Sequence, residues 1–195
     1  MKSSDTEIIK RVIDGDHRAY AELVDRHKDR AMTLAMRMLK NRHDAEEALQ
    51  DAFVRAFRAL PAFEWKSSFP TWFYRIVFNV CSSALSRKGN NTLLSIDEEN
   101  DDDLKIEIPS TDAEPDVDLE NREFGEIVRA EIERMDAGYS SILTMFFLQE
   151  MSYEEIIVVT GLPLGTVKNR LFRARMELRK AVLEHFSDMN QMVSI

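Results

Sequence analysis

Lys168, Arg170, Arg173, Arg175, Arg179 and Lys180 crowd into residues 163–180 against one anion, Glu177. A helix this basic carries the electrostatic footprint of nucleic-acid binding. Taken alone, such a stretch reads first as the solvated face of an ordinary bundle. The residues before it shift that balance. Ser152 and Glu155 stand three apart, the spacing of a capping box that starts a helix. Gly161 supplies its stop, and Pro163 suits the opening of the next helix. Leu162, Val167 and Leu171 can then pack on Ile156 and Ile157, setting the angle of a helix-turn-helix. Leu164, Lys168, Asn169, Phe172 and Arg173 would face outward toward base edges in the major groove, with Arg170 and Arg175 placed for phosphates.

Other chemistries find little support. His17, His27 and His43 have nearby acids but neither a metal-ligand spacing nor a glycine-rich phosphate loop, so they read as isolated surface histidines. No catalytic residue, metal or cofactor is expected. Cys81 is the only cysteine among 195 residues, which excludes an internal disulfide and points to a reducing, cytoplasmic setting. No apolar run approaches the roughly 20 residues that span a bilayer, and Met1–Asp5 lacks the apolar core of a signal peptide, so membrane insertion is not expected.

The net charge of −9 argues against a nucleic-acid partner until it is mapped. Residues 1–88 hold sixteen Lys or Arg against twelve Asp or Glu, residues 89–121 one against twelve, and residues 122–195 nine against eleven. The acidity therefore sits in the middle third, where Asp101-Asp102-Asp103, Pro109 and Pro115 indicate a flexible linker.

Around that linker the pattern is helical. Ser4 or Asp5 can cap a short helix ending near Gly15, and Asp16 a second that buries Leu23, Leu34 and Met38. A third starts near Asp44 and buries Ala45, Leu49, Ala52, Phe53, Ala56 and Phe57. Pro70 suits the first turn of a fourth, which buries Phe73, Ile76, Val77 and Val80. Beyond the linker, periodicity resumes near Leu119 and runs to Met135. Gly138 should break it, and Ser140 should begin the helix before Ser152. The expected fold is all-α: two helical domains, 1–88 and 122–195, joined by the acidic segment 89–121.

The run Ser152–Ile156, Gly161–Lys168 and Arg170–Arg175 resembles region 4 of bacterial sigma-70 factors, especially the extracytoplasmic-function (ECF) group. Asp44–Phe53 and Phe69–Asn79 are similar to region 2 of the same family. The chain departs from the family's usual basic pair at Met135–Ser140, and Val158-Val159 replaces a more polar pair.

The resemblance implies a non-enzymatic promoter-recognition factor for a stress or envelope response. Its implied partners are core RNA polymerase, through the β′ coiled coil and β flap, promoter DNA and an anti-sigma factor. Glu47, Gln50, Asp51 and Arg55 would dock the polymerase; alone they read as a solvated acidic face. Phe63, Trp72, Tyr74, Arg75 and Asn79 would contact the separated strand of the upper −10 element, with Phe63 as the stacking ring. Tyr153, Thr166, Lys168, Asn169, Arg170, Phe172, Arg173 and Arg175 would bind the −35 element. Phe73 and Trp65 are expected in the core. A stand-alone repressor or activator would explain the helix-turn-helix but leave residues 1–88 idle.

Overall fold

The computed structural model describes residues 3–89 and 120–193, with side chains from 3–89 and 124–186. The segment read as an acidic linker lies, apart from its ends, outside the described residues.

Helix α1 (Asp5–Ile13) begins at a capping box: Ser4 Oγ accepts from Glu7 N at 3.3 Å, and Glu7 accepts from Ser4 N at 2.8 Å. Gly15, at φ +106°, turns the chain into a one-turn 3₁₀ helix (His17–Ala19) leading to α2 (Tyr20–Leu39). Asp16 does not cap as expected. Its carboxylate holds Arg11 at 2.8 Å, and Arg11 also reaches Glu22 at 2.8 Å. The cap of α3 (Arg42–Ala59) is Asn41, whose side chain accepts from Asp44 N at 3.1 Å, so Asp44 lies inside the first turn. A second 3₁₀ turn (Leu60–Ala62) and a loop lead to α4 (Phe69–Arg87), with Ser68 as cap and Pro70 in the first turn.

These helices close over Leu23, Leu34, Met38 and Phe73. The small residues Ala45, Ala52 and Ala56 bring α3 close to its neighbours. His27 is not a surface histidine: it is 6% exposed, with Nε2 3.0 Å from Asp5. Its pKa is held below the ordinary value, mainly by burial and against the pull of Asp5.

The second unit holds α5 (Glu120–Arg134), α6 (Ala137–Leu143), a wide π-type turn (Thr144–Leu148), α7 (Tyr153–Thr160) and α8 (Leu164–Val193). Gly138 does not break a helix. Asp136 caps α6 by accepting from Gly138 N at 2.8 Å, so this glycine is buried in the first turn and the helix starts three residues before Ser140.

The two units pack on each other, which residue periodicity did not indicate. Helix α6 meets α2, and α7 meets α4. The bonds across the contact are polar. Lys40 Nζ donates to the Glu133 carbonyl at 2.6 Å, Ser140 Oγ to the Arg37 carbonyl at 3.1 Å, and Gln149 Nε2 to the Arg30 carbonyl at 3.1 Å. Thr71 Oγ1 donates to Glu155 Oε1 at 2.7 Å. Among the described residues there is no strand, and no helix is long and apolar enough to cross a membrane.

Candidate nucleic-acid interface

The helix-turn-helix is built as its residues dictate. Ser152 Oγ accepts from Glu155 N at 3.2 Å, and Glu155 Oε2 accepts from Ser152 N at 3.0 Å, closing the capping box of α7. Gly161 sits at φ +73°, a left-handed conformation that costs glycine little, and its N–H bonds the Ile157 carbonyl at 2.8 Å. Helix α8 follows directly after Pro163, whose carbonyl accepts from Val167 N at 3.0 Å. Ile156, Val159, Val167 and Leu171 are fully buried and lock the two helices together.

That packing leaves Leu164 and Lys168 exposed, and Tyr153, Thr166, Asn169, Phe172 and Arg173 half-buried. Lys168 Nζ stands 6.0 Å above the Tyr153 ring. Two of the expected cations are placed differently. Arg170 is 4% exposed, and the Arg175 guanidinium lies 5.1 Å from both the Phe146 and Phe147 rings. Arg175 thereby braces α8 on the π-type turn through cation–π contacts.

In the first unit, Trp72, Arg75 and Asn79 follow at three- and four-residue steps, which places them on one side of α4. Arg75 and Asn79 are exposed and Trp72 half-buried. Phe63 and Tyr74 are not surface residues, contrary to expectation. Phe63 is 7% exposed, wedged among Phe69, Trp72 and Trp65 with ring centroids 6.4, 5.0 and 4.8 Å away. Tyr74 is 2% exposed, and burial pushes its phenol up to about 12. Its hydroxyl has no protein partner. Trp65, expected in the core, is instead 45% exposed.

The third group frames a groove of about 540 Å³ between α3 and α4. Glu47, Asp51 and Arg55 line one wall, with Asp51 holding Arg55 through contacts of 3.0 and 2.8 Å. Arg87 and Lys88 come from α4, and Lys88 pairs with Asp44 across the groove. Val80 and Ala84 also line it from α4. Gln50 is exposed but stands outside the groove lining. The α4 contribution was missed because Arg87 and Lys88 read as a helix end, and nothing local pairs them with Asp44 forty-four residues earlier.

Comparison with known proteins identifies the family. Residues 23–91 match the family Sigma-70 region 2, and residues 125–178 match Sigma-70, region 4. The ECF RNA polymerase sigma factor SigW of Bacillus subtilis is 32% identical over 174 residues, 88% of this chain and 93% of the relative. The ECF RNA polymerase sigma-E factor of Escherichia coli K12 is 33% identical over 179 residues, 88% of this chain and 91% of the relative. A solved structure of CnrH in complex with the cytosolic domain of CnrY has a similar fold. Its TM-score is 0.59 at 21% identity, covering 94% of this chain and 99% of that one.

Proposed function

The chain belongs to the sigma-70 family, in its ECF group, and directs core RNA polymerase to promoters; from that premise we propose how its residues divide the work. The carrying observation is spatial: one small fold presents a charged groove between α3 and α4, an exposed face of α4 and a basic recognition helix.

The α3–α4 groove docks the β′ coiled coil of the polymerase. Glu47 and Asp51 supply charge, Arg55 holds Asp51 in place, and Gln50 extends the patch along α3. Trp72, Arg75 and Asn79 contact the separated strand of the upper −10 element, where flipping a base out of the stack needs a compensating surface. Lys168, Asn169 and Arg173 read the −35 duplex, supported by Tyr153, Thr166 and Phe172, while region 4 rests on the β flap. Arg170 and Arg175 hold α8 in position. The natural setting is an envelope or stress response in the cytoplasm.

An anti-sigma protein covering the groove and the recognition helix is the proposed off switch. A pull-down from the native host tests that partner, with failure to displace core polymerase as the contrary result. Runoff transcription with core polymerase on a promoter library tests the main reading. Transcripts starting at discrete sites only when the chain is added are expected, and sequence-specific duplex binding without polymerase-dependent transcripts would favour a stand-alone repressor or activator.

A further inference from the structure

Trp65 combines two features that conflict unless the side chain has a task. Its backbone sits at φ 60°, a left-handed conformation that glycine adopts freely and a bulky side chain rarely does. The residue is nevertheless 45% exposed, so burial does not account for a tryptophan at this position. Such strain in a loop points toward function when the surroundings fix the side chain. Here they do: Trp65 packs on Phe63 at 4.8 Å with the planes tilted by 52°, and Phe63 is itself fixed against Trp72 at 5.0 Å.

A line of groups therefore runs from Trp65 through buried Phe63 to Trp72, then along α4 to Arg75 and Asn79. Neighbouring Lys66 has a side chain 80% exposed and pairs with Glu64, itself 68% exposed. Aromatic rings open to solvent beside exposed cations and an amide are what an unstacked nucleobase and its phosphates require. Phe63 cannot supply the open ring, because it is the floor under Trp65.

We propose that Trp65 is the aromatic platform on which an unpaired base of the promoter strand stacks, with Phe63 as its support. This rests on the promoter-melting reading above, and narrows it to one side chain that neither periodicity nor resemblance selected.

The two features make opposite predictions for one substitution. Trp65→Gly relieves the backbone and removes the ring, whereas Trp65→Phe keeps a stacking ring. The assay is promoter opening by the reconstituted holoenzyme on a fragment selected from a library with the wild-type chain, carrying 2-aminopurine through the upper −10 element. Trp65→Gly should open it about tenfold less or worse, within the span for loss of one base–aromatic stack. Its core affinity and −35 duplex binding should hold, and its Tm should be unchanged or higher. Trp65→Phe should stay within about threefold of wild type, since any planar ring presents a π face. Normal opening by Trp65→Gly overturns the proposal. So does a loss accompanied by falling Tm or core affinity, which would make Trp65 structural, or a loss in Trp65→Phe as deep as in Trp65→Gly. If the wild-type chain opens no promoter with core polymerase, the reading beneath it falls first, and the proposal with it.

Discussion

Thr71→Val isolates the contact between the two helical units. The Thr71 hydroxyl donates to Glu155 Oε1 at 2.7 Å and lies 2.7 Å from Ser68 Oγ. With its hydrogen given to Glu155, it accepts from Ser68. Valine keeps the shape and removes both bonds. Ser68 is exposed and can turn to water, and Ser68 Oγ still caps α4 through Thr71 N at 3.3 Å. The lost term is thus mainly one charge-assisted bond, about 1.5 kcal/mol at the low end of its usual range, because half-buried Glu155 recovers some solvation. That is roughly tenfold in the equilibrium between packed and separated units. Ser152→Ala is the control: it costs α7 a cap of about 1 kcal/mol and leaves the Thr71 bond in place. Spin labels on cysteines introduced at exposed Arg18 and Glu184 report the separation by pulsed electron resonance, since buried Cys81, its thiol pushed up to about 12, escapes labelling. Thr71→Val should populate longer distances, and Glu155→Gln should add little once Thr71 is gone. Distributions identical to wild type in both variants would refute the assignment of this bond as a tie between the units.

Asp51→Arg should weaken core-polymerase binding by about 2–5 kcal/mol with the helical fold intact, and unchanged affinity in a competition assay would remove Asp51 from the dock. Tyr74→Phe deletes a buried hydroxyl that has no protein partner, so Tm should hold or rise by the equivalent of up to about 1 kcal/mol; a clear fall would mean the hydroxyl is satisfied. His27 takes up a proton less readily folded than unfolded, so its contribution is complete above about pH 6.5 and is lost as the pH drops from there toward the lower folded value. Urea midpoints on either side of about pH 6.5 should show the loss, and His27→Gln should flatten it. Arg173→Ala should cost about 1–3 kcal/mol on the best −35 duplex and relax preference at one base pair; an equal loss on every sequence would make it a phosphate contact.

The parts legible in the sequence share a physical reason: their signals are local. Ser152 and Glu155 bond each other, Gly161 answers a requirement of its own φ, and the apolar periods of α3 and α4 need only neighbours three or four residues away. What was missed depends on distant partners. Asp16 looked like a cap but is drawn to Arg11, while Asp136 caps α6 in front of a glycine that reads as a stop. Lys40, Thr71, Ser140 and Gln149 have the character of surface residues, and a polar stripe looks the same whether it meets water or another domain. Aromatic rings were the least legible. Phe63, Tyr74 and Trp65 stand within a dozen residues, yet two are buried while Trp65, at φ 60° in a loop, is turned out to solvent.

The packing of the two units on each other is polar in its directional bonds. Its bonds run through Lys40, Ser140, Gln149 and Thr71, not through an apolar seam alone. Gln149 Oε1 and Arg37 Nε are buried beside these bonds with no protein hydrogen-bond partner. The buried apolar residues around Phe73 and around Ile156 belong to one continuous core, so the contact is apolar as well as polar. Opening the joint would expose apolar surface as well as release these polar bonds, so the contact opposes separation on both counts.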